Sequence, residues 1–179
     1  RGAGQASPRV LPVRLPHRLP CCMGMQVVAT TLGGYVGRRL MQNLREAHGD
    51  TYGAVAAMAS FERTGYCAGA TQVGTDVTRE ALREIFREIE RLGEKPMSAE
   101  ELGLVRNMMI GEMMRVLDGP FGIADVTIEN ILCGTDNSII SENIRRIRRI
   151  TPEEVRQLAR RYLRREELVT FVAGADKPW

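Results

Sequence analysis

Histidines are the first residues to consider for chemistry, because two of them one helical turn apart form the core of many zinc hydrolase sites. This chain has two histidines, His17 and His48, and they lie far apart in the sequence. Neither H-E-x-x-H nor H-x-x-E-H occurs in the chain. A metal site built from His48, Asp50 and distant carboxylates is an alternative, but solvent-facing loop residues explain this pair better. We therefore predict that the chain has no metal site of its own.

Cysteines offer a second kind of chemistry. The chain has four: Cys21, Cys22, Cys67 and Cys133. They show neither C-x-x-C spacing nor the density of a disulfide scaffold, and the adjacent pair is most simply read as two unbridged thiols. No histidine is placed by sequence to activate Cys67, so a thiol nucleophile is not supported. G-x-S-x-G and P-loop motifs are also absent from the sequence.

Arginines are concentrated in two late runs that raise the question of a nucleic-acid surface. The runs are Arg145, Arg146, Arg148 and Arg149, and then Arg160, Arg161, Arg164 and Arg165. Apolar residues interrupt both runs, namely Ile144, Ile147 and Ile150 in the first and Tyr162 and Leu163 in the second. Because this spacing is typical of amphipathic helices, and no stacking aromatics or binding motif accompany it, we interpret the arginines as solvated helix faces. No nucleic-acid partner is predicted.

Size and composition fit one soluble domain. The chain has 179 residues, 44% of them hydrophobic, which is enough to bury a substantial core. Its net charge of +3 comes from 25 basic and 22 acidic residues, a near balance that indicates no particular partner. No apolar run reaches the roughly 20 residues that cross a bilayer, and residues 1–20 hold too many arginines and prolines for a signal-peptide core. We expect no membrane partner, and the sequence leaves the compartment open.

The elements that position any site begin after a proline-rich opening. Its prolines are Pro8, Pro12, Pro16 and Pro20. Proline lacks a backbone donor and is confined to strand edges and turns. Residues 1–22 are therefore predicted to be an edge strand or a disordered segment, and residues 23–179 the domain proper.

A broken helix is predicted next. Apolar residues run from Met23 to Leu32, and helical spacing resumes over residues 36–46 after Gly33 and Gly34. These glycines with Gly37 could suggest a phosphate loop, but the preceding strand and the lysine of a P-loop are missing. We interpret them as residues that let the helix break or approach another element closely.

A β-hairpin is predicted over residues 51–60 and 66–73, with residues 61–65 as the connection. Small residues alternate along both strands, which predicts a thin inner face; they are Ala54, Ala56 and Met58 in the first strand and Ala68 and Ala70 in the second.

Helices dominate the rest of the chain. A long helix has the apolar stripe Ala81, Leu82, Ile85, Ile89 and Leu92, with Glu–Arg pairs at i,i+3. Two S/T-x-x-E capping boxes, Ser98 with Glu101 and Thr151 with Glu154, start two more helices. Helices at 123–132 and 141–150 and a closing strand at 168–173 complete the order. This order predicts an α+β domain, a mainly antiparallel sheet with its helices packed on one face.

One stretch resembles a known signature. Residues 32–53 read LGGYVGRRLMQNLREAHGDTYG. They are similar to the pattern L-G-G-x-x-x-S-R-L-x-x-x-L-R-E-x-x-G-x-x-Y of the second domain in the pitrilysin/insulinase family, which includes the mitochondrial processing peptidase. The downstream order of hairpin, charged helix, capped helices and final strand also fits, so the resemblance covers about residues 23–174.

The resemblance implies a function that the residues alone do not. In this family each half of a clamshell has a similar α+β fold, zinc sits in the first half, and the second half lends an arginine and a tyrosine. Arg45 and Tyr52 stand in those positions, as substrate-binding and transition-state-supporting residues. The implied function is the non-catalytic C-terminal half of a zinc metalloendopeptidase, with zinc in the partner half. Its expected partners are that zinc-bearing half or subunit and an unstructured peptide, and a homo-oligomer stays open.

The chain departs from the family pattern in three places. Arg38 replaces the usual serine, His48 and Asp50 replace the usual lysine and an apolar or aromatic residue, and the region before Met23 lacks a clean strand. The alternative function is a proteolytically inactive structural subunit with the same fold. On either hypothesis the chain alone has no H-x-x-E-H motif and is predicted to be inactive.

Overall fold

The computed structural model describes residues 5–7, 21–34, 53–61, 64–74 and 77–173 of the chain. Its strands are β1 (Gln5–Ser7), β2 (Gly53–Ser60), β3 (Gly65–Gln72) and β4 (Phe171–Ala173). Its helices are α1 (Cys21–Ala29), continued by a π-helical turn (Thr30–Gly34), then α2 (Thr78–Glu94), α3 (Ala99–Val116), α4 (Pro120–Leu132), α5 (Ser138–Arg149) and α6 (Pro152–Tyr162). A short 3₁₀ turn (Arg165–Glu167) leads to β4. The predicted helix over 36–46 lies outside the described residues.

The hairpin formed by β2 and β3 confirms one sequence prediction and corrects another. The strands pair antiparallel, with Ala54 opposite Thr71 and Met58 opposite Cys67. Along β2 the predicted inner residues face the core, since Ala54 is buried and Val55 is exposed. Along β3 the predicted face was wrong. Ala68 pairs with Ala57 and Ala70 with Val55, which puts both alanines on the outer side, while Cys67 and Thr71 are buried. The pairing register decides which face is inside, and composition alone did not reveal it.

The described strands form two antiparallel pairs, β2 with β3 and β1 with β4. Strand β1 also contacts β3, so the two pairs adjoin. Because β1 is three residues long and β4 is equally short, the described chain is mostly helical. The α+β class is confirmed and the described strands pair antiparallel, as predicted, but helices rather than a sheet make up most of the described residues.

Helix α1 is the centre of the core. Met25, Val27 and Val28 are fully buried, and α1 contacts β2, α5 and α6. Its crossing with α6 is close, because a Cβ added at Gly24 would lie 2.4 Å from Cδ1 of Leu158. A glycine at this point therefore brings the two helices together.

Helix α2 packs its predicted stripe inward, against α6. Ala81, Ile85, Ile89 and Leu92 are buried, while Leu82 is partly buried. On its outer side Arg83 binds Glu80 at i,i+3, at 3.2 Å, whereas the exposed Arg91 binds the buried Glu88 at i,i+3, at 3.4 Å. Such pairs on a helix surface stabilise it by a few tenths of a kcal/mol each.

Both predicted helix starts are observed. The Ser98 hydroxyl accepts a hydrogen bond from the Glu101 N–H at 3.0 Å, and α3 begins at the next residue, Ala99. At the start of α6 the box is complete, since the Thr151 hydroxyl accepts from the Glu154 N–H and the Glu154 carboxylate accepts from the Thr151 N–H. Each cap satisfies donors that the helix itself leaves unpaired.

Candidate functional site

The start of the sequence signature lies against the strand that follows it. Gly33 lies against β2, because a Cβ added there would be 2.4 Å from the Ala56 nitrogen and 2.8 Å from the Val55 carbonyl carbon. β2 itself begins at Gly53, the last residue of the signature. Helical and extended segments thus touch where only a glycine fits.

The two predicted site residues belong to this stretch. Arg45 and Tyr52 both lie outside the described residues. The structure places the position that follows Tyr52, since Gly53 pairs with Gln72 at the end of the hairpin ladder. His17, His48 and Asp50 also lie outside the described residues. The roles of all five remain predictions.

Metal chemistry can be tested over the described part of the chain. Within it, no group of three or more His, Cys, Asp or Glu side chains is arranged to hold a metal ion. A catalytic zinc takes three protein ligands and leaves one position open, so these residues do not fit the group. None of the helices in the described part is both long and apolar enough to cross a membrane.

Three cysteines can be placed, and two of them meet at Ser60. Cys22, Cys67 and Cys133 carry reduced thiols. The Cys22 sulfur lies 3.1 Å from the Ser60 hydroxyl, and Cys133 donates to the Ser60 carbonyl at 3.8 Å. Cys67 is 3% exposed, and burial raises the pKa of its thiol to about 11. A thiol that stays protonated at neutral pH is a poor nucleophile, which agrees with the prediction for Cys67. No spacing in the sequence indicated the convergence on Ser60.

The first late run of arginines lies on α5, as predicted, and Arg160 and Arg161 lie on α6, but Arg164 follows that helix and Arg165 lies in the 3₁₀ turn. Ile147, Ile150 and Leu163 are buried, whereas Arg145, Arg148 and Arg149 are exposed. Several arginines are committed to structural contacts. Arg106 donates a hydrogen bond to the Ile150 carbonyl, and Arg146 binds Glu154 at 3.3 Å, so each joins two helical segments. Arg165 binds Glu90 at 3.2 Å, and its guanidinium lies over the Phe86 ring, 4.8 Å from the ring centroid.

A groove of about 510 Å³ runs between the C-terminal parts of α2 and α6. Charged side chains of both signs line it, among them Glu90, Glu94, Arg160 and Arg164. Ion pairs such as Glu90 with Arg165 compensate much of this charge.

Comparison with known proteins gives the family. The sequence model of the peptidase M16 inactive domain matches residues 14–109, which is more than half of the chain and includes both Arg45 and Tyr52. The chain belongs to the peptidase M16 inactive domain family. This is the pitrilysin family, as the signature indicated.

Relatives of this M16 inactive domain are similar in fold across bacteria. An uncharacterized zinc protease of Streptomyces coelicolor is 23% identical over 83% of this chain, and the match spans 32% of that protein. The inactive peptidase domain of a Bordetella parapertussis protein described as a zinc protease matches 100% of this chain and 98% of its own, with 21% identity and a TM-score of 0.79. The peptidase M16 inactive domain from Pseudomonas fluorescens matches 99% of this chain and 43% of its own, with 18% identity and a TM-score of 0.82. The chain thus spans about a third of the curated relative, and these structures share its fold.

Proposed function

We propose that this M16 inactive domain is the non-catalytic half of a zinc metalloendopeptidase that clamps unstructured peptides and supports the zinc site of the other half. One observation carries the proposal: the signature at residues 32–53 lies wholly inside the matched family region. In this proposal the zinc is held by the partner half. That zinc would activate water and polarise the peptide carbonyl.

Arg45 and Tyr52 are the residues of this chain that would act on the substrate. A guanidinium holds a peptide carbonyl or carboxylate through charge-assisted hydrogen bonds, with a fixed planar geometry. A phenol donates to the oxygen that becomes negative during attack, and such a donor contributes most where water is excluded. Arg45 would therefore orient the peptide, and Tyr52 would stabilise the transition state.

The junction of Gly33 with β2 supports this assignment. It holds Gly33, near the start of the signature, against β2, and Gly53, the residue that follows Tyr52, is held by the hairpin ladder. Groups that support a transition state need a rigid scaffold, because small displacements lower the rate steeply.

The partner half is the first requirement of the test. We expect the coding DNA upstream of Arg1, or a neighbouring gene, to encode an H-x-x-E-H helix. The protein segment that carries this helix is then expressed and mixed with this chain. We expect the pair to cleave unstructured peptides in a zinc-dependent way, and this chain alone to cleave none. Zinc-dependent cleavage by this chain alone, free of contaminants, would refute the proposal.

Substitutions in the reconstituted pair then test the two residues. Tyr52→Phe removes one donor and should lower kcat by roughly 10² to 10³. Arg45→Ala should raise KM as well, because it removes a substrate contact. Arg38→Ala is the matched control in the same segment. It should leave kcat and KM within about threefold of the unchanged pair, which corresponds to less than about 0.7 kcal/mol of activation or binding free energy. Equal cleavage by all variants would favour the inactive structural subunit instead.

A further inference from the structure

Helix α4 turns an apolar face away from the rest of the molecule. Phe121 is 85% exposed, Ile128 55%, Ile131 65% and Leu132 72%. Among the residues of α4, all of which the structure describes, only Asn130 is buried. With 100° between successive residues, Asn130 lies on the opposite side of the helix from Phe121, Ile128 and Leu132, and 100° away from Ile131. Together with exposed Ala124 they form one stripe along the helix, which we call the α4 stripe.

The inner side of α4 is already committed to contacts. The Asn130 amide donates to the Asn137 side-chain oxygen at 3.0 Å, and the Asn137 amide donates to the Thr127 hydroxyl at 2.8 Å. Cys133, at the C-terminal end, donates to the Ser60 carbonyl. Single exposed apolar side chains are ordinary on a protein surface, but a continuous stripe marks an interaction site.

The spacing of the stripe indicates a helix as its partner. Phe121, Ala124, Ile128 and Ile131 follow the 3-4-3 spacing of a and d positions in a heptad repeat. The same four positions are also symmetric about Val126. An antiparallel copy of α4 would thus set Phe121 against Ile131 of the other copy, and Ala124 against its Ile128. Each of these facing pairs would consist of apolar residues, so the stripe is complementary to itself.

Charge also permits this pairing. α4 has two ionisable side chains, Asp125 and Glu129. In the antiparallel arrangement Asp125 would lie opposite Thr127 of the other copy, and Glu129 opposite its Ile123. No carboxylate would then face its equivalent. The exposed arginines of α5, by contrast, would repel a second arginine face.

We propose that the α4 stripe binds the α4 stripe of a second copy of this chain, forming a two-fold antiparallel helix pair centred at Val126. The helix has 13 residues and is about 20 Å long. Burying its large apolar side chains in both copies removes less than the roughly 1,200 Å² of a standard interface. An interface of this size belongs to the class of weak, transient encounters, so we expect the dimer to be reversible.

Light scattering and sedimentation of the full 179-residue chain test the proposal. Across roughly a hundredfold range of micromolar concentration, the mass should rise from 19.9 kDa toward twice that value. Ile128→Glu places a charge in a central layer and should raise the dissociation constant at least about tenfold. Leu104→Glu is the matched control, because Leu104 on α3 is also 55% exposed; it should dimerise like the unchanged chain.

Two results would overturn the proposal. One is a mass that stays at the monomer value across the whole range, and the other is equal weakening by Ile128→Glu and Leu104→Glu. Circular dichroism shows whether each variant is folded, which is expected because both positions face solvent. If the chain is monomeric and Ile128→Glu lowers cleavage with a zinc-bearing half, the stripe belongs to that half and not to a second copy.

Discussion

Gly33 and Ala56 approach so closely that a single added carbon at Gly33 would lie 2.4 Å from the Ala56 backbone nitrogen. The contact joins the end of the π-helical turn to the middle of β2, two elements separated by the segment with Arg45 and Tyr52. The three atoms within 3.0 Å of the added carbon are the Ala56 nitrogen, the Val55 carbonyl carbon and the Ala56 Cβ, and no side-chain rotation can move any of them away.

Gly33→Ala should therefore destabilise the domain by about 2 to 3 kcal/mol, because overpacking at a backbone contact forces the strand away from the turn. Gly103→Ala is the control, since nothing lies within 4 Å of a Cβ at this position in α3. It should stabilise the domain by about 0.5 to 1 kcal/mol, the gain of alanine over glycine inside a helix. Chemical denaturation measures both. Equal stability of the two variants would contradict the close contact.

Thr151→Ala should cost about 1 to 2 kcal/mol, because it breaks a complete capping box. The Thr151 hydroxyl accepts from the Glu154 N–H at 3.2 Å, and Glu154 accepts from the Thr151 N–H at 2.8 Å. Thr151→Ser keeps the hydroxyl and should remain within about 0.5 kcal/mol of the unchanged chain. Thermal unfolding checks the order of the three proteins. A Thr151→Ser loss as large as that of Thr151→Ala would show that the methyl group, and not the cap, stabilises this position.

Local rules predicted most of the helical part of the chain. The two capping signals, the stripe of α2 and its Glu–Arg pairs are features of neighbouring residues, and each is observed. Their physical basis is short-range, so one sequence window contains it. Gly33 belongs to the signature and lies where an added Cβ would overlap β2, a contact that the sequence alone did not show.

Long-range pairing set the features that the sequence did not reveal. The inner face of β3 depends on its register with β2, and Ala68 has no local property that tells inside from outside. The meeting of Cys22 and Cys133 at Ser60 joins residues far apart in the chain. The sequence also did not reveal that the apolar face of α4 is exposed. An apolar stripe predicts burial, but it does not tell whether the covering partner is the same chain or another one.

Glu153 should titrate at an unusually low pH. Arg156 donates two hydrogen bonds to the Glu153 carboxylate, at 2.5 and 2.8 Å, and Gln157 donates a third. Together they stabilise the charged form and lower the pKa of Glu153 to about 2. Because the folded pKa lies below the unfolded one, this contribution to stability is present above about pH 4.3 and disappears as the pH falls toward 2.

Carbon-detected NMR titration of the Glu153 carboxylate measures this pKa directly. Arg156→Met should raise it toward the ordinary value near 4.3. Arg148→Met removes an exposed arginine on α5 and should leave the Glu153 pKa unchanged within about 0.3, the size of a screened long-range effect. A Glu153 pKa that does not respond to Arg156→Met would mean that the pair is open in solution.

Cys67 gives the domain a predicted weakness at alkaline pH. Burial raises the pKa of its thiol from 9.0 to about 11, so the folded state holds the proton more tightly than the unfolded state. That contribution is fully present below pH 9 and is lost as the pH rises from 9 to 11, by about 2 to 3 kcal/mol in total. Stability of the unchanged chain should therefore fall over this interval in denaturation measurements.

Cys67→Ala separates this thiol from the other groups that titrate at high pH. The variant should be slightly less stable at pH 7, because it loses a buried sulfur, and its decline between pH 9 and 11 should be clearly shallower. Thiol labelling under native conditions at pH 8 gives an independent check. Cys133, which is only partly buried, should be alkylated much faster than Cys67. Equal labelling rates, together with parallel stability curves for the two proteins, would show that Cys67 is accessible to solvent in the folded domain.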